Sequence, residues 1–289
     1  MSAASPQHLD LADYPTPPTQ LLTASRGWTA VNLREVARSH ELLLSLAWRD
    51  IRARYKQTVL GIVWVIIQPL FAAGIFSFIF TLVADLKAPG GAPYFLFTLA
   101  SLLAWNGFSS VLNRSSGAMV NNAILVSKVY FPRLVLPAST IFTVIVDFAV
   151  QAVLLVVMLL LFWRLPGATV LLLPVCLVLL WGLALGVGLI AAAVAVSYRD
   201  ALYVLPVFIQ FLMWGSAVLF PLERVPEQYV TYLYLNPIVS LVEAFRWSVL
   251  GTGSVHWGFF AYSAGCTVLS LVVGAFAFRR MERRFADVI

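Results

Sequence analysis

Long apolar runs separated by short polar segments make up most of the chain beyond residue 58. A helix needs about 20 apolar residues to cross a bilayer, and six runs approach or exceed that length. They cover residues 59–83, 94–112, 134–162, 169–196, 202–221 and 256–278. The pattern therefore predicts an all-α integral membrane protein with six transmembrane helices, in a transmembrane domain at residues 59–281.

A shorter apolar run lies between the fifth and sixth predicted spans. Residues 238–250 form a run of about 13 residues, a length more typical of a re-entrant or interfacial helix than of a span. Asn236-Pro237 before this run and Gly251-Thr252-Gly253 after it are start and stop signals for a helix. A second short helix is predicted around residues 226–233. We expect these two short re-entrant helices to cap the outer face.

The segment before the first span predicts a basic amphipathic helix from Glu41 to Lys56. Its apolar face holds Leu44, Trp48, Ile51 and Tyr55. Its basic face holds Arg49, Arg52 and Lys56. Trp and Tyr are suited to the headgroup boundary of a membrane. The spacing leaves two interpretations open: a membrane anchor, or a docking surface for a cytoplasmic partner.

Composition and charge support this class and give it an orientation. The 289 residues are 61% hydrophobic and 11% charged, with a mean hydropathy of +0.90, whereas soluble domains are about 25% charged. The net charge of +6 does not indicate nucleic-acid binding, because the basic residues flank apolar spans. Loops rich in Lys and Arg stay in the cytoplasm. Placing both termini there leaves outside only Lys87, Arg164, Arg224 and Arg246.

This orientation makes residues 1–25 a flexible cytoplasmic tail, 26–58 a cytoplasmic interface segment and 282–289 a second cytoplasmic tail. The polar stretch between the second and third spans, at 113–133, also faces the cytoplasm. Met119, Ala123 and Val126 recur in it at helical spacing, which predicts a short helix along the membrane surface. That helix is either a second docking element or a structured loop without a partner.

Residue types that signal enzymatic chemistry are scattered or missing. The chain has no phosphate-binding loop and no His-Glu-x-x-His motif. Its histidines, His8, His40 and His256, are far apart, and Cys176 and Cys266 both lie in apolar runs. We therefore predict no metal and no cofactor, and a membrane enzyme is disfavoured.

Asp147 is the one acidic residue predicted inside a span, and Gln151 follows one turn later. Carboxylates in membranes are costly and often functional, but a proton relay would need further ionisable groups at similar depth. The favoured interpretation is pairing with a polar group on a neighbouring helix. Nearer the outer face, Glu243 and Arg246 are three residues apart and could pair with each other or orient an anionic substrate.

Three motifs resemble the polysaccharide ABC exporter permeases, the membrane subunits that export lipid-linked O-antigen, capsule or teichoic acid. The first runs from Arg49-Asp50-Ile51-Arg52 through Arg54-Tyr55-Lys56-Gln57, Leu60-Gly61 and Trp64 to Pro69-Leu70. The others are Val126–Arg133 and Asn236-Pro237-Ile238 with Glu243 and Arg246. The likeness extends from about Trp28 to Arg284 and is specific to the family rather than to the polymer.

The resemblance implies a half-transporter. Two copies would pair around a channel, and each would rest on a cytoplasmic ABC ATPase subunit, so that the complex holds two ATPase copies in the bacterial inner membrane. The implied ATPase-coupling residues are Arg49, Asp50, Arg52, Arg54, Lys56, Ser116, Asn121, Asn122 and Lys128. Seven aromatic side chains could line a glycan channel, or could instead face lipid or pack in the core: Trp64, Phe71, Phe76, Tyr203, Phe208, Phe211 and Trp214. The implied outer gate is Asn236, Pro237, Glu243 and Arg246.

Other function classes stay open at this point. Export of a lipid or a drug would follow the same plan. A membrane glycosyltransferase or acyltransferase would need acidic or histidine residues clustered at one membrane face, and a secondary transporter would need paired broken spans and more intramembrane charge. The sequence supplies neither pattern.

Overall fold

The computed structural model describes residues 39–56, 61–129 and 131–288, with side chains given except at 61–62 and 282–288. Helices dominate these ranges, and no strand occurs in them. The predicted tail at 1–25, the start of the interface segment at 26–38, residues 57–60 and Tyr130 lie outside the described residues. The helices are α1 (His40–Lys56), α2 (Gly61–Phe78), α3 (Tyr94–Asn121), α4 (Ala123–Lys128), α5 (Val135–Leu161), α6 (Leu173–Ser197), α7 (Ala201–Trp214), α8 (Glu227–Tyr234), α9 (Pro237–Leu250) and α10 (Trp257–Val288).

Five segments are long and apolar enough to cross a membrane. They are Val63–Val83, Tyr94–Asn121, Val135–Leu161, Ala168–Ser197 and Trp257–Met281. Each coincides with a predicted span, so the all-α membrane fold is confirmed. The last helix continues to Val288, which places most of the predicted tail at 282–289 in helical backbone.

The fifth predicted span is shorter than expected. The apolar run continues to residue 221, but α7 ends at Trp214 after 14 residues, or about 21 Å at 1.5 Å per residue. Gly215 follows the helix, and the backbone then turns, with Ala217 in a left-handed conformation at φ of +49°. That length is below the roughly 30 Å of a hydrocarbon core, so a sixth crossing stays a prediction.

The boundary after the second span also differs from the prediction. The sequence predicts that the second span ends at residue 112, where a polar stretch that includes Ser115 and Ser116 begins, yet α3 runs on to Asn121 as a 28-residue helix. The Ser115 hydroxyl donates to the Val111 carbonyl oxygen at 2.7 Å, and the Ser116 hydroxyl donates to the Leu112 carbonyl oxygen at 2.6 Å. Because these polar groups are satisfied by the helix itself, they extend α3 instead of ending it. Only α4, of six residues, remains as a separate short helix.

Helix α3 is the centre of the bundle. In its most apolar window 78% of the residues are buried, compared with 17% in each of the first and last spans. It packs against α2, α5, α6 and α9. Its two ends meet different parts of the chain: the Tyr94 hydroxyl donates to the Leu219 carbonyl oxygen at 2.7 Å at one end, and Asn122 contacts α1 at the other.

Helices α6 and α10 pack closely against each other, and glycines make this possible. A Cβ atom at Gly274 would lie 2.2 Å from the Gly186 carbonyl oxygen, and one at Gly186 would lie 2.5 Å from the Ser270 backbone. Gly182 stands one turn before Gly186 and faces Thr267. Small residues spaced in this way let helix backbones approach in membranes. We call Gly182, Gly186 and Gly274 the glycine seam.

Helices α8 and α9, at residues 227–250, form a cap at one end of the bundle. Gly90, in the α2–α3 connection, packs directly against Thr252 just after α9. The Thr169 hydroxyl, in the α5–α6 connection, donates to the Ser248 carbonyl oxygen at 3.1 Å. The cap therefore lies at the end of the bundle where these two connections lie, opposite to the end where Asn122 meets α1. The predicted pair of short helices is present, and their re-entrant character stays a prediction.

Candidate coupling surface and cap

Helix α1 has two apolar faces, where the sequence predicted one. Leu46 and Ala47 are buried against the bundle, although neither belonged to the predicted apolar face. Leu44 and Trp48 from that face are about half exposed, at 51% and 56%. Helix α1 is thus attached to the protein on one side and presents an apolar stripe on another, as an interfacial helix does.

Arg49 ties α1 to the end of α3. Its Nη2 donates to the Asn122 Oδ1 at 2.7 Å and to the Asp50 Oδ1 at 2.8 Å. Asn122 in turn donates to the Ala118 carbonyl oxygen at 2.9 Å, which fixes its side chain on α3. Three of the predicted coupling residues therefore meet in one contact.

Asp147 brings three polar side chains together, so that four residues from three helices form one junction. Its Oδ1 accepts a hydrogen bond from the Tyr55 hydroxyl at 2.5 Å. Its Oδ2 lies 3.0 Å from the Arg114 Nη2 and 3.2 Å from the Arg54 Nη1. Tyr55 and Arg54 belong to α1, and Arg114 belongs to α3. We call these four residues the Asp147 junction.

The prediction that Asp147 pairs with a polar group on a neighbouring helix is confirmed. The expectation that no other ionisable group lies at its depth is wrong, because Arg114 was assigned to a loop and is part of the extended α3. Burial and the bond to Asp147 hold the pKa of the Tyr55 hydroxyl well above its ordinary value of 10.0. Tyr55 therefore remains a hydrogen-bond donor at neutral pH.

The remaining predicted coupling residues divide into exposed and buried ones. Arg52, Lys56, Asn121 and Lys128 are exposed. The Arg52 guanidinium lies over the Trp48 ring, 5.0 Å from its centroid. Ser116 is fully buried in α3 and is not part of any surface. We call Arg49, Asp50, Arg52, Lys56, Asn121, Asn122 and Lys128 the coupling surface.

The aromatic residues predicted to line a channel belong to α2 and α7. Most of them are exposed on the single chain, namely Trp64, Phe71, Tyr203, Phe208, Phe211 and Trp214. Phe76 packs edge-to-face on Trp214 at a centroid distance of 6.2 Å, which joins the two helices. Their role in lining a channel stays a prediction.

Asn236 and Pro237 start α9 as the sequence predicts. The Asn236 Oδ1 accepts from the Ile238 backbone N–H at 3.1 Å, and Pro237 takes the first helical position. The Asn236 Nδ2 also donates to the Ser216 hydroxyl at 2.9 Å. One side chain therefore both caps α9 and fixes the cap to the turn after α7. Gly251, with φ of +65°, ends α9.

Glu243 and Arg246 have different partners in the cap. The Tyr234 hydroxyl donates to the Glu243 Oε2 at 2.6 Å. Arg246, only 5% exposed, lies 4.4 Å above the Phe97 ring, and its Nη1 donates to the Ala217 carbonyl oxygen at 3.3 Å. No ion pair within 4.0 Å joins Glu243 and Arg246, both of which are described. Burial raises the pKa of the Glu243 carboxyl, and the hydrogen bond from Tyr234 and the charge of Arg246 partly offset that rise.

Comparison with known proteins gives relatives along most of the chain. The O-antigen export system permease protein RfbA of Myxococcus xanthus is 29% identical over 216 residues, covering 74% of this chain and 82% of the relative. A protein of the same name from Klebsiella pneumoniae is 25% identical over 259 residues, covering 86% and 95%. The polysialic acid transport protein KpsM of Escherichia coli is 31% identical over 193 residues, covering 65% and 73%.

The family comparison covers both regions described above. The ABC-2 type transporter family matches residues 41–250, a range that begins in α1 and ends with α9. It contains the coupling surface, the Asp147 junction and the cap. Because the match extends over well more than half of a chain with five helices fit to cross a bilayer, this multi-pass membrane protein belongs to the ABC-2 type transporter family.

Proposed function

We propose that this protein is the permease subunit of an ATP-driven exporter that moves a polyprenyl-diphosphate-linked polysaccharide, of O-antigen type, from the cytoplasm across the inner membrane. Two copies form the channel, and two copies of a separate ABC ATPase bind beneath it. Both termini and the coupling surface face the cytoplasm. The cap lies outside, where Asn236, Pro237, Glu243 and Arg246 form the outer gate.

The observation that carries this proposal is the family match over residues 41–250, combined with relatives named for O-antigen export and polysialic acid transport. The geometry adds a surface on which the ATPase subunit could dock. Arg52 and Lys56 on α1 and Lys128 on α4 are exposed, and the Arg49–Asn122 bond ties α1 to the turn between α3 and α4. A basic surface built on two short helices fits an acidic face of an ATPase.

The exposed aromatics fit the transport of a glycan. Trp64, Phe71 and Phe211 present large apolar faces on α2 and α7. Sugar rings bind such faces through their C–H groups without a fixed register, which suits a polymer that must slide. Export of capsule, teichoic acid, a lipid or a drug by the same plan is the alternative. A membrane glycosyltransferase or acyltransferase ranks below these.

Deletion of the gene tests the class of function. We expect loss of one polysaccharide from the cell surface, together with accumulation of its complete lipid-linked form inside the cell. A transferase would instead leave a shortened or unmodified glycan. The sugar analysis of the accumulated material identifies the polymer, and accumulation of a lipid or a drug alone contradicts the proposal.

Charge reversal tests the coupling surface. The variant with Arg52→Glu and Lys56→Glu should lower surface polysaccharide and ATPase binding by about tenfold, because like charges now face the partner. Lys87→Glu is the matched control, since it reverses one exposed charge at the opposite end of the bundle and should change export by less than about twofold. Membrane levels of both proteins are measured by blotting. Full export by the double variant contradicts a docking role for α1.

A further inference from the structure

Helix α1 is joined to the rest of the protein by apolar packing and by polar contacts, two of which link positions far apart in the sequence. The first is Arg49–Asn122, at the end of α3. The second is the Asp147 junction, where Tyr55 and Arg54 reach 92 and 93 positions along the chain to α5. Helix α1 also buries Leu46 and Ala47, and Leu42 and Leu43 pack against the same apolar cluster. Directional polar bonds therefore act together with apolar packing to hold α1 on the bundle.

The Asp147 carboxylate is the place where three helices meet. One oxygen accepts the Tyr55 hydroxyl from α1, and the other faces Arg114 from α3 and Arg54 from α1. The Asp147 side chain is 8% exposed, while the Arg114 and Arg54 side chains are 27% and 41% exposed. The acid thus lies inside the protein, and its partners extend from it toward the α1 end of the bundle.

The helices on the inner side of this junction are suited to carry a displacement. Helix α3 is the most buried span and reaches the cap end, where Ser101 and Phe97 contact Arg246. Helix α5 packs against both α1 and α3. Energetic coupling between distant sites passes through such packed elements and through polar networks that join them.

We propose that Asp147 is a positioning residue that ties α1 to α3 and α5, so that a movement of α1 driven by a docked ATPase reaches the channel. This inference rests on the proposed function. A carboxylate suits the task because it accepts from Tyr55 and from two guanidinium groups at once, which fixes the direction of α1 as well as its distance. An apolar contact of the same size would let α1 slide.

The decisive variant is Asp147→Asn, which keeps the shape and an acceptor for Tyr55 but removes the charge that holds both arginines. It is tested in the complex of the full chain with its ATPase, reconstituted in lipid vesicles. We expect ATPase affinity within about twofold of the native value and ATP-driven export lowered by about tenfold, within the range typical of coupling between sites. ATP hydrolysis should continue without export. Asp85→Asn, an exposed acid in the α2–α3 connection, is the matched control and should export normally.

A second variant keeps the test valid if Asp147→Asn does not assemble. Tyr55→Phe removes one hydroxyl and no packing, and it should lower export severalfold with unchanged ATPase affinity. The double variant Asp147→Asn with Arg114→Gln should export no worse than Asp147→Asn alone, because both changes break one unit.

Three results would overturn the inference. One is native export by Asp147→Asn, and another is strictly additive losses in the double variant. The third is a parallel loss of ATPase affinity and export in Tyr55→Phe, which would mean that the junction only supports the fold or the docking face. If the unmodified chain neither binds the ATPase nor exports a glycan, the proposed function fails instead.

Discussion

A tyrosine hydroxyl donates to a carboxylate at each end of the helix bundle, and the two pairs have different structural roles. Tyr55–Asp147 and Tyr234–Glu243 have similar lengths, 2.5 and 2.6 Å. The first joins residues 92 positions apart and adds two arginines, whereas the second joins residues nine positions apart within the cap. The same bond therefore links distant helices in one place and stiffens a local unit in the other.

Replacing each carboxylate by alanine should give the largest difference in stability between the two pairs. Asp147→Ala leaves two arginines without a counter-charge, and we expect a loss of about 2 kcal/mol after allowing for their partial exposure. Glu243→Ala removes one hydrogen bond and a carboxylate that burial disfavours, so about 1 kcal/mol is expected. Thermal unfolding of the purified proteins in detergent measures the order. A larger loss for Glu243→Ala would show that the carboxylate in the cap contributes more to stability than the one in the Asp147 junction.

Removing each hydroxyl should reverse that order. Tyr234→Phe removes the hydroxyl that donates to the buried Glu243 carboxylate and should cost about 1.5 kcal/mol. Tyr55→Phe leaves Asp147 with both arginines, so a smaller loss of about 0.5 kcal/mol is expected. The same unfolding experiment compares them, with Tyr229→Phe on the exposed side of α8 as control. Equal losses would mean that the arginines do not compensate.

The two pairs should also differ in how strongly salt affects their contribution to stability. Raising NaCl from about 0.05 M to about 0.5 M shortens the screening length severalfold, and Arg54 is 41% exposed. The stability difference between the native chain and Asp147→Asn should therefore shrink, while the difference for Glu243→Gln should not change. The two differences are measured at both salt concentrations. A salt-independent Asp147 effect would indicate a junction that is fully shielded from solvent.

The smallest expected effect is a pH dependence confined to the cap. Burial holds the pKa of Glu243 above its ordinary value of 4.5, so the folded state binds a proton more readily than the unfolded state. Stability from this group therefore falls as pH rises from about 4.5 through the raised pKa. As the pH is lowered from about 8 to about 5, the native chain should gain stability relative to Glu243→Gln. The unfolding midpoint of each protein measures this difference. A gain at high pH would show that the ionised form is the favoured one.

The sequence was sufficient for features that depend on local patterns. Apolar run length located the five long helices, and the Asn-Pro and Gly-Thr-Gly signals located α9. Asp147 was recognised as needing a partner because an isolated carboxylate in a membrane is costly. Its actual partners depend on how α1 and α3 are rotated against α5, and no spacing within one helix contains that information.

Three misjudged features have separate physical reasons. Ser115 and Ser116 resembled a loop, yet their hydroxyls bond to their own helix. The apolar run that contains α7 continues to residue 221 and therefore does not mark the end of the helix at Trp214, after which Ala217 adopts a left-handed backbone conformation. The glycine seam had a usable signal, since Gly182 and Gly186 have the spacing that brings membrane helices together, but its partner Gly274 lies in a distant span.

The glycine seam gives this protein a reference distance, because the separation of α6 and α10 is expected to stay constant. At Gly186 and Gly274 the backbones of α6 and α10 approach directly, and the uncharged side chains of Thr267, Ser270 and Leu271 pack beside them. We therefore expect neither salt nor a nucleotide cycle to change the separation of these two helices. Exposed positions such as Val178 and Val268 offer sites for a pair of distance probes across it. Any displacement of α1 or of the cap can then be expressed relative to a length that stays constant.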